Sequence, residues 1–535
     1  MLRKLSDRDQ RLWTQAMAEE LADINALKAW RECSPSYQLP LGERWLATKW
    51  VYTRKPPDSK LRRRLKARLV ARGDRQSRMP DEDNYASTVL PVVTRMIGVI
   101  NLSLVASGKA SPLIQIDIKK AFLRALGVPN RRVFVKVLQA DGSYRYFEVL
   151  ASLYGLRASP RRWQEKLTAD LAEFGFQPCP YCPSLFVCKS RGAIISFHVD
   201  DGLLSCTASV STALLTFLRS KYGSDGVSVV NMMTAPSTYC GQRWTFAPDM
   251  RSVVLDQQAF IDALVERTGL SKSFSVWTPQ TEILRRNKLA PPDHSFQTTV
   301  GSLLWATQTR PDCMYTVKEL ARNIANTDDS HRAAAQRCVR FLKATRDRAL
   351  TLRATDKLVI TVWIDSAFAS CPVTLRSTSG MVIALGSSAV LCRSLTQTTV
   401  ATSAMEAELW GIFEGLKEIL RIRAILAFMG FPQPPTVCHV DTEAGIRALN
   451  KRVPSNATKH FDIRFFRILQ GIDTQEIALH WVDTETEVAD ILTKPLCRVK
   501  HKRLMDAILN AQLDGWHGRR ESLSSFPRLQ EFVAV

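Results

Sequence analysis

The chain has 535 residues, 45% hydrophobic and 23% charged, and 73 Lys and Arg against 51 Asp and Glu give a formal net charge of +22. The length favours two to four domains with ordinary cores. The positive charge predicts a polyanionic partner, and nucleic acid is the first candidate. The alternative is a basic protein that has no such partner. Twelve irregularly spaced Cys argue against a disulfide framework, and no signal peptide or membrane-length apolar run is visible, so we expect an intracellular protein without a membrane span.

The first 230 residues alternate strand patterns with a helical one. Residues 159–176 have apolar residues at helical spacing and predict a helix that ends near Gly175. Apolar and β-branched runs predict strands at 49–55, 66–73, 113–117, 133–138 and 193–199. From about 230 to 295, Pro and polar clusters predict an irregular stretch and a possible domain boundary.

The second half begins with helical periodicity from about 296 to 356. An α/β unit follows, with a strand at 358–365, a hairpin-like pair within 379–394 and a long helix from about 404 to 429. Two more strands and a final helix are predicted at 436–441, 478–482 and 488–494. Beyond about residue 500 the chain is basic and then polar.

Two adjacent aspartates, Asp200 and Asp201, interrupt apolar runs in the first half. Because Asp201-Gly202 is a strong hairpin-turn signal, one interpretation is that both acids are turn residues. Asp117, however, ends another apolar strand, and carboxylates at the ends of neighbouring strands repel each other unless a cation lies between them. Mg²⁺ fits such a site, and two ions about 3.5–4 Å apart activate a 3′-hydroxyl and stabilise departing pyrophosphate.

The second half contains a further set of dispersed acids. Asp365 and Asp441 each end a predicted strand, Glu406 and Glu408 lie near the start of the long helix, and Asp490 lies on the last one. Each has a plain interpretation as well, since Asp441 fits a helix N-cap and Asp490 a solvated helix charge.

Motifs in both halves resemble the reverse transcriptase and ribonuclease H region of copia-type LTR retrotransposon Pol polyproteins. In the first half the stretches in family order are WTQAMAEEL (13–21), KWVYTRK (49–55), KARLVARG (66–73), LPVVTR (90–95), QIDIKKAFL (115–123), LYGLRASPRRW (153–163) and PSLF (183–186). In the second half they are TRPD (309–312), STSG (377–380), EAEL (406–409), KHFDIR (459–464) and ADILTKPL (489–496).

The resemblance implies an α+β right-hand polymerase with fingers, palm and thumb, followed by an α/β ribonuclease H-like domain. The order strand-Asp, helix-Glu, strand-Asp, helix-Asp is the ribonuclease H pattern. We therefore expect fingers and palm at 1–250, thumb and connection at 251–356, the ribonuclease H-like domain at 357–498 and a basic, polar tail at 499–535. The implied activities are RNA- and DNA-directed DNA synthesis and cleavage of the RNA strand of a hybrid.

The resemblance also implies roles for individual residues. Phe122 is expected under the incoming sugar, where its ring excludes a ribose 2′-hydroxyl, and Ala158 stands in the nucleotide pocket. Glu408 is preferred to Glu406 because ELWGI resembles the helix of the ribonuclease H fold. The metal-binding and catalytic carboxylates are Asp117, Asp200, Asp201, Asp365, Glu408, Asp441 and Asp490. The basic segment 60–72 supplies Lys66 and Arg68 for the triphosphate and Arg62, Arg63, Arg64 and Arg72 for the nucleic-acid backbone.

The implied cofactor is Mg²⁺, with Mn²⁺ as an alternative, and the implied partners are an RNA template, a DNA primer, an RNA–DNA hybrid and deoxynucleoside triphosphates. A homodimer or a processed heterodimer stays open, as does the choice between a cytoplasmic particle and the nucleus. The chain departs from the family where Ala158 replaces Gln, where His198 replaces an aromatic residue, where Ala367 replaces Asp, and in a short segment after residue 123. The competing hypothesis is an element remnant that binds nucleic acid without polymerising.

Overall fold

The computed structural model describes residues 6–55, 64–77, 84–127, 131–139, 142–234, 236–285, 293–452, 462–513 and 516. The chain divides into two compact units. The first unit comprises residues 1–89 and 114–230, and the second comprises residues 90–113 and 231–535. Within the described ranges no helix is long and apolar enough to cross a membrane.

The described residues form twelve α-helices and twenty β-strands, numbered here in chain order. The helices are α1 Asp7–Ala26, α2 Pro91–Ala106, α3 Ser159–Phe174, α4 Ala208–Tyr222, α5 Gln258–Arg267, α6 His294–Ala306, α7 Met314–Arg322, α8 Asp329–Ala344, α9 Ala404–Phe428, α10 Glu443–Asn450, α11 Asp462–Asp473 and α12 Arg498–Leu509.

The first eleven strands, β1 to β11, are Trp30–Cys33, Trp45–Lys55, Arg64–Ala71, Ile114–Ile118, Val133–Leu138, Tyr144–Val149, Gln177–Cys179, Cys182–Cys188, Ala193–His198, Asp201–Ser205 and Val227–Asn231. The remaining nine, β12 to β20, are Ser237–Tyr239, Gln242–Phe246, Ser252–Asp256, Leu350–Arg353, Ile360–Ala367, Thr378–Leu385, Ser388–Thr396, Thr436–Val440 and Ile477–Trp481.

The first unit is built on two sheets, one with the strand order β1-β6-β5-β2-β3 and one with the order β11-β4-β10-β9-β8-β7. Helices α3 and α4 bury their apolar stripes against one face of the second sheet, through Trp163 and Leu167 of α3 and Leu214 and Leu218 of α4. Helix α3 has Pro160 in its first turn and is capped after Phe174 by Gly175, whose φ of 105° favours glycine. The opposite face of β4 and β10 is therefore left for polar side chains.

The second unit contains a four-stranded sheet, β12-β13-β14-β15, and a five-stranded sheet, β18-β17-β16-β19-β20. In the larger sheet β16 pairs antiparallel with β17 and parallel with β19, and α9 packs on β16 and β17. This strand order with a covering helix is that of a ribonuclease H-like domain. Together with the α+β organisation of the first unit, it confirms the predicted fold class.

Two local predictions were wrong, and one helix was not predicted. The stretch 230–295, expected to be irregular, contains β12, β13, β14 and α5, because β14 pairs with β15 about a hundred residues further along the chain. The final helix expected at 488–494 is a short 3₁₀-helix, Val488–Leu492. A longer helix, α12, occupies part of the predicted basic tail.

Two candidate acidic sites

The hairpin that carries Asp200 and Asp201 does not turn where the sequence indicated. Asp201 already belongs to β10 and pairs with His198 of β9, so the connecting residues are Val199 and Asp200. Val199 has a φ of 63°, which is rare for a β-branched residue and marks a strained turn. A Cβ on Gly202 would lie 2.7 Å from the Phe197 ring, so this glycine serves close packing beneath the turn.

Strand register brings the first three acids together. Asp201 lies directly opposite Asp117 of β4, so both carboxylates are on the same face of the sheet. Asp117 is the fourth residue of the five-residue strand β4, one residue before its end. The backbone carbonyl of Asp200 accepts a 2.9 Å hydrogen bond from the Ile118 N–H, which fixes the turn against β4. We call Asp117, Asp200 and Asp201 the first acidic cluster.

The environment of the first cluster disfavours negative charge. Burial raises the pKa of Asp201 to about 7, and the charges of Asp117 and Asp200 add to the increase. The side-chain amide of Gln115 opposes it by donating hydrogen bonds of 2.9 and 3.1 Å to the two Asp201 oxygens. Burial also raises the pKa of Asp200, and Asp117 adds to that shift. The arrangement favours a cation near these oxygens.

The positive charges of Arg68 and Lys66 on β3 oppose the rise in the pKa of Asp200 that burial causes. The Arg68 guanidinium lies 5.8 Å from the centre of the Tyr154 ring. Tyr154 in turn makes an edge contact with Phe122 at a centroid distance of 5.5 Å. Arg68, Tyr154 and Phe122 thus form a continuous series of contacts.

Other predicted binding residues are placed differently. Arg62 and Arg63 lie outside the described residues, as does the side chain of Arg64. The Arg72 guanidinium is held by Asp74 through contacts of 2.9 and 2.7 Å. Ala158 is buried at the N-cap of α3 and offers no side-chain cap hydrogen bond.

The second acidic cluster comprises Asp365, Glu408, Asp441 and Asp490. One carboxylate oxygen each from Asp365, Glu408 and Asp441 lies within 4.8 Å of the others, although the three residues come from β16, α9 and the end of β19. Asp441 is further held by the Thr484 hydroxyl, which donates to its Oδ2 at 3.0 Å. Three negative charges at this spacing repel one another unless a cation or a proton is shared.

Asp365 is 2% exposed and accepts a hydrogen bond from the Thr493 hydroxyl. Burial raises its pKa to about 7, with the charge of Asp490 as the next cause. Gly380 lies opposite Asp365 on β17, and a Cβ there would be 2.6 Å from the Thr493 side chain and 2.8 Å from the Ala489 carbonyl. The glycine of the STSG stretch therefore lets the turn that carries Asp490 approach the sheet.

The two glutamates of α9 have different environments. Glu406 accepts hydrogen bonds from the backbone N–H and the hydroxyl of Thr402, so it closes the start of the helix. Glu408 is buried, and its Oε2 has no hydrogen-bond partner among the described residues. Burial raises the pKa of Glu408 well above its usual range, and the charges of Asp365 and Asp441 add to that increase.

Asp490 is completely buried and forms ion pairs with two lysines. The Lys494 ammonium lies 2.5 Å from one of its oxygens, and the Lys500 ammonium lies 2.6 Å from the other. Lys494 is also 3.8 Å from Asp365. The structure therefore links Asp490 to Asp365 through Lys494 but does not bring it into the group of three acids whose oxygens lie within 4.8 Å of one another.

Sequence reasoning missed Glu487, Lys494 and Lys500. Glu487 is completely buried, its Oε1 accepts a 2.9 Å hydrogen bond from the Ala489 N–H, and its Oε2 has no partner among the described residues. Burial raises its pKa well above the usual range, with Asp365 as the next cause. The four-residue spacing of Asp490 and Lys494 was the available signal for one ion pair, since such residues are neighbours on a helical turn.

Residues 34–282 match the reverse transcriptase (RNA-dependent DNA polymerase) family. The chain is 26% identical over 517 residues to the retrovirus-related Pol polyprotein from transposon TNT 1-94 of Nicotiana tabacum, with 93% of this chain and 38% of the relative covered. It is 27% identical over 501 residues to the Pol polyprotein from transposon RE2 of Arabidopsis thaliana, with 91% and 33% covered.

The chain thus spans between a third and two fifths of the length of these relatives. Among solved structures, a foamy viral protease-reverse transcriptase in complex with double-stranded DNA has a TM-score of 0.48 and 11% identity. That comparison covers 90% of this chain and 80% of the other.

Proposed function

Since the chain is a relative of copia-type retrotransposon Pol polyproteins whose residues 34–282 match the reverse transcriptase family, we propose that it is an RNA- and DNA-directed DNA polymerase joined to an RNA-cleaving domain. The observation that carries the proposal is the register of β4 and β10, which sets Asp201 opposite Asp117 with Asp200 at the adjoining turn. The partners proposed are an RNA template, a DNA primer, their hybrid and deoxynucleoside triphosphates. The net charge of +22 supports polyanionic partners of this kind.

The donor set of the first cluster fits a divalent cation. Three carboxylates meet, and the pKa values of Asp200 and Asp201 are raised partly by their mutual repulsion with Asp117. Hard oxygen donors of this type suit Mg²⁺ and also Mn²⁺. When bound, the metal supplies Lewis-acid activation of a 3′-hydroxyl and charge neutralisation at the phosphates.

The neighbouring residues fit the other tasks of nucleotide addition. Lys66 and Arg68, which act electrostatically on Asp200, are suited to hold the triphosphate. Phe122 is held by its edge contact with Tyr154, and a ring fixed in this way is suited to exclude a ribose 2′-hydroxyl. Buried Ala158 leaves that pocket without the amide that the family pattern has there.

The second cluster supports the RNA-cleaving part of the proposal. The buried Oε2 of Glu408, which no described residue hydrogen-bonds, fits a cation ligand, because a buried carboxylate oxygen without a donor is costly. Asp365, Glu408 and Asp441 would hold the metal, while Asp490 is positioned by Lys494 and Lys500. The task of the three acids is to direct a water at an RNA phosphate.

Primer extension by the purified chain on an RNA template with Mg²⁺ and four deoxynucleotides tests the polymerase part. The parent should extend the primer, and the Asp200→Asn, Asp201→Asn double variant should not. Asp225→Asn, an exposed acid of the same unit, is the matched control and should extend normally. A folded parent that binds primer-template without extending it would overturn the proposal in favour of a nucleic-acid-binding element remnant.

A further inference from the structure

A segment of the second unit, residues 270–280, presents two exposed aromatic rings. It follows α5, and its sequence LSKSFSVWTPQ contains a Lys but no acid. Phe274 is 70% exposed and Trp277 is 48% exposed, whereas Val276, Thr278 and Gln280 are buried and anchor the segment. The rings are therefore held on a fixed backbone and face solvent.

Each ring carries an arginine on one side. The Arg340 guanidinium of α8 lies 4.6 Å from the centre of the Phe274 ring. The Arg498 guanidinium at the start of α12 lies 4.9 Å from the centre of the Trp277 ring. Both distances are within the range of a cation–π contact, which fixes the ring plane and keeps the cation beside it.

Two more cations of α8 fasten the same segment. The Lys343 ammonium donates to the carbonyls of Leu270 and Ser273 at 3.3 and 2.7 Å. The Arg337 guanidinium donates to the Thr278 hydroxyl at 2.9 Å.

In the described part of the chain, none of Arg337, Arg340, Lys343 and Arg498 forms an ion pair with a carboxylate. Burial lowers the pKa of Arg337, and the nearby charge of Arg340 lowers it further. Two neighbouring cations differ, since Arg332 of α8 pairs with Asp293, and Arg346, just beyond the end of α8, approaches Asp262. The positive charge around residues 270–280 is therefore left for a partner from outside the chain.

We propose that this surface binds single-stranded nucleic acid. We call it the aromatic–basic surface, and it comprises Phe274, Trp277, Arg337, Arg340, Lys343 and Arg498. Non-specific single-strand sites combine cations that follow the phosphates with aromatic rings on which bases stack. A duplex keeps its bases paired and out of reach of the rings, and the acidic side chains of a peptide would meet the cations but leave the rings without a stacking partner. None of the six residues belongs to either acidic cluster, so binding requires neither metal nor catalysis.

Anisotropy titration of the full chain in EDTA with a fluorescent oligodeoxythymidine of about 15 nucleotides, long enough for such a site, tests the proposal. The Phe274→Ala, Trp277→Ala double variant should bind about tenfold more weakly, and Trp277→Phe should keep most of the affinity because it keeps a ring. Tyr181→Ala, which removes an exposed ring elsewhere on the chain, should bind like the parent. Unchanged affinity of the double variant would overturn the proposal.

Charge variants separate single-strand from duplex binding. Arg340→Gln with Arg498→Gln should weaken binding and flatten its salt dependence by about one unit of slope per residue. Arg353→Gln is the control, since that guanidinium donates to the Asn510 carbonyl at 3.2 Å and does not belong to the aromatic–basic surface. A ring variant that loses duplex binding as strongly as single-strand binding would contradict the stacking role.

Photo-crosslinking identifies the peptide that contacts the oligonucleotide, so it distinguishes the aromatic–basic surface from other nucleic-acid sites on the chain. A thiothymidine oligonucleotide should attach to the peptide that contains residues 270–280, and excess unlabelled single strand should suppress the adduct. Absence of that peptide among the adducts would overturn the proposal. Failure of primer extension would leave the proposal intact, because the binding measurements contain no metal and no deoxynucleoside triphosphate.

Discussion

The first acidic cluster draws its acids from one hairpin and the strand beside it, whereas the second draws them from two strands, a helix and a 3₁₀ turn. In the first, the direct hydrogen-bond donor to Asp201 is the uncharged amide of Gln115. In the second, two lysine ammonium groups contact Asp490, and one of them is also 3.8 Å from Asp365. In the first cluster the positive charges of Arg68 and Lys66 act electrostatically on Asp200, whereas in the second cluster Asp490 is held in two direct ion pairs.

If the two clusters serve separate reactions, each can be disabled alone. Asp365→Asn should reduce cleavage of the RNA in a hybrid by more than about a hundredfold, because even residues one shell away from a metal contribute about 10–100-fold. Primer extension should stay within about twofold of the parent. Both reactions are measured on one labelled hybrid.

Glu406→Gln is the control for that experiment, since Glu406 caps the same helix that carries Glu408 and bonds to Thr402. The Glu406→Gln variant should cleave RNA normally, whereas the Glu408→Gln variant should not cleave it. Equal loss of polymerisation and cleavage in Asp365→Asn would refute separate sites.

The lysines of the second cluster should matter for stability. Lys500→Met leaves buried Asp490 with one lysine and should lower the free energy of unfolding by about 3 kcal/mol, as expected when a buried pair loses a partner. Lys502→Met on the same helix breaks an exposed pair with Asp506 and should cost less than about 0.5 kcal/mol. Urea unfolding in EDTA measures the free energy of unfolding of both variants. Similar decreases in the two variants would show that the buried ion pairs of Asp490 stabilise the fold no more than an exposed pair does.

The charge of Lys494 should also limit metal affinity in the second cluster. In an Asp200→Asn, Asp201→Asn background, Lys494→Met should bind Mn²⁺ about tenfold more tightly, because a cation 3.8 Å from Asp365 is removed. Titration calorimetry gives the affinity, with Lys417→Met, which breaks an exposed pair with Glu414, as the control. Weaker binding by Lys494→Met would mean that the lysine supports the metal-bound arrangement.

The smallest expected effect concerns pH. Asp201 has a pKa of about 7 in the folded chain against an ordinary value of 3.8, so between about pH 4 and 7 the folded state holds a proton that the unfolded state releases. Stability without metal should therefore fall as pH rises through this window. In the Asp201→Asn variant, the free energy of unfolding should fall by about 1 kcal/mol less over this pH window than in the parent, once solvent screening is allowed for. The Asp225→Asn variant should show the same fall as the parent. Parallel curves for parent and Asp201→Asn would contradict the raised pKa.

Much of this molecule was predictable from sequence because the signals are local. The order of motifs predicted a copia-type Pol relative, which the comparisons confirm. Helix α3 was predicted from its apolar spacing and from Gly175, because period and cap act within a few residues. The acids at 117, 200, 201, 365 and 441 stood out because each interrupts or follows an apolar strand.

The tertiary structure alone decided what those acids face. The turn lies at Val199–Asp200 and not at Asp201-Gly202, because Gly202 is needed beneath it, against Phe197, and β10 must pair Asp201 with Asp117. The sheet formed by β12 to β15 escaped prediction because β14 and β15 are far apart in sequence.

The neutralisation of Asp490 was hidden for the same reason. In the sequence, Lys500 and Glu487 look like ordinary surface charges. Their neighbour Asp490 is buried only because the 488–492 turn approaches Gly380 closely in the folded chain. Local preferences set the strands, the helices and the positions of the acids. Burial and long-range pairing set their charge, because desolvation and neighbouring charges exist only after the chain has folded.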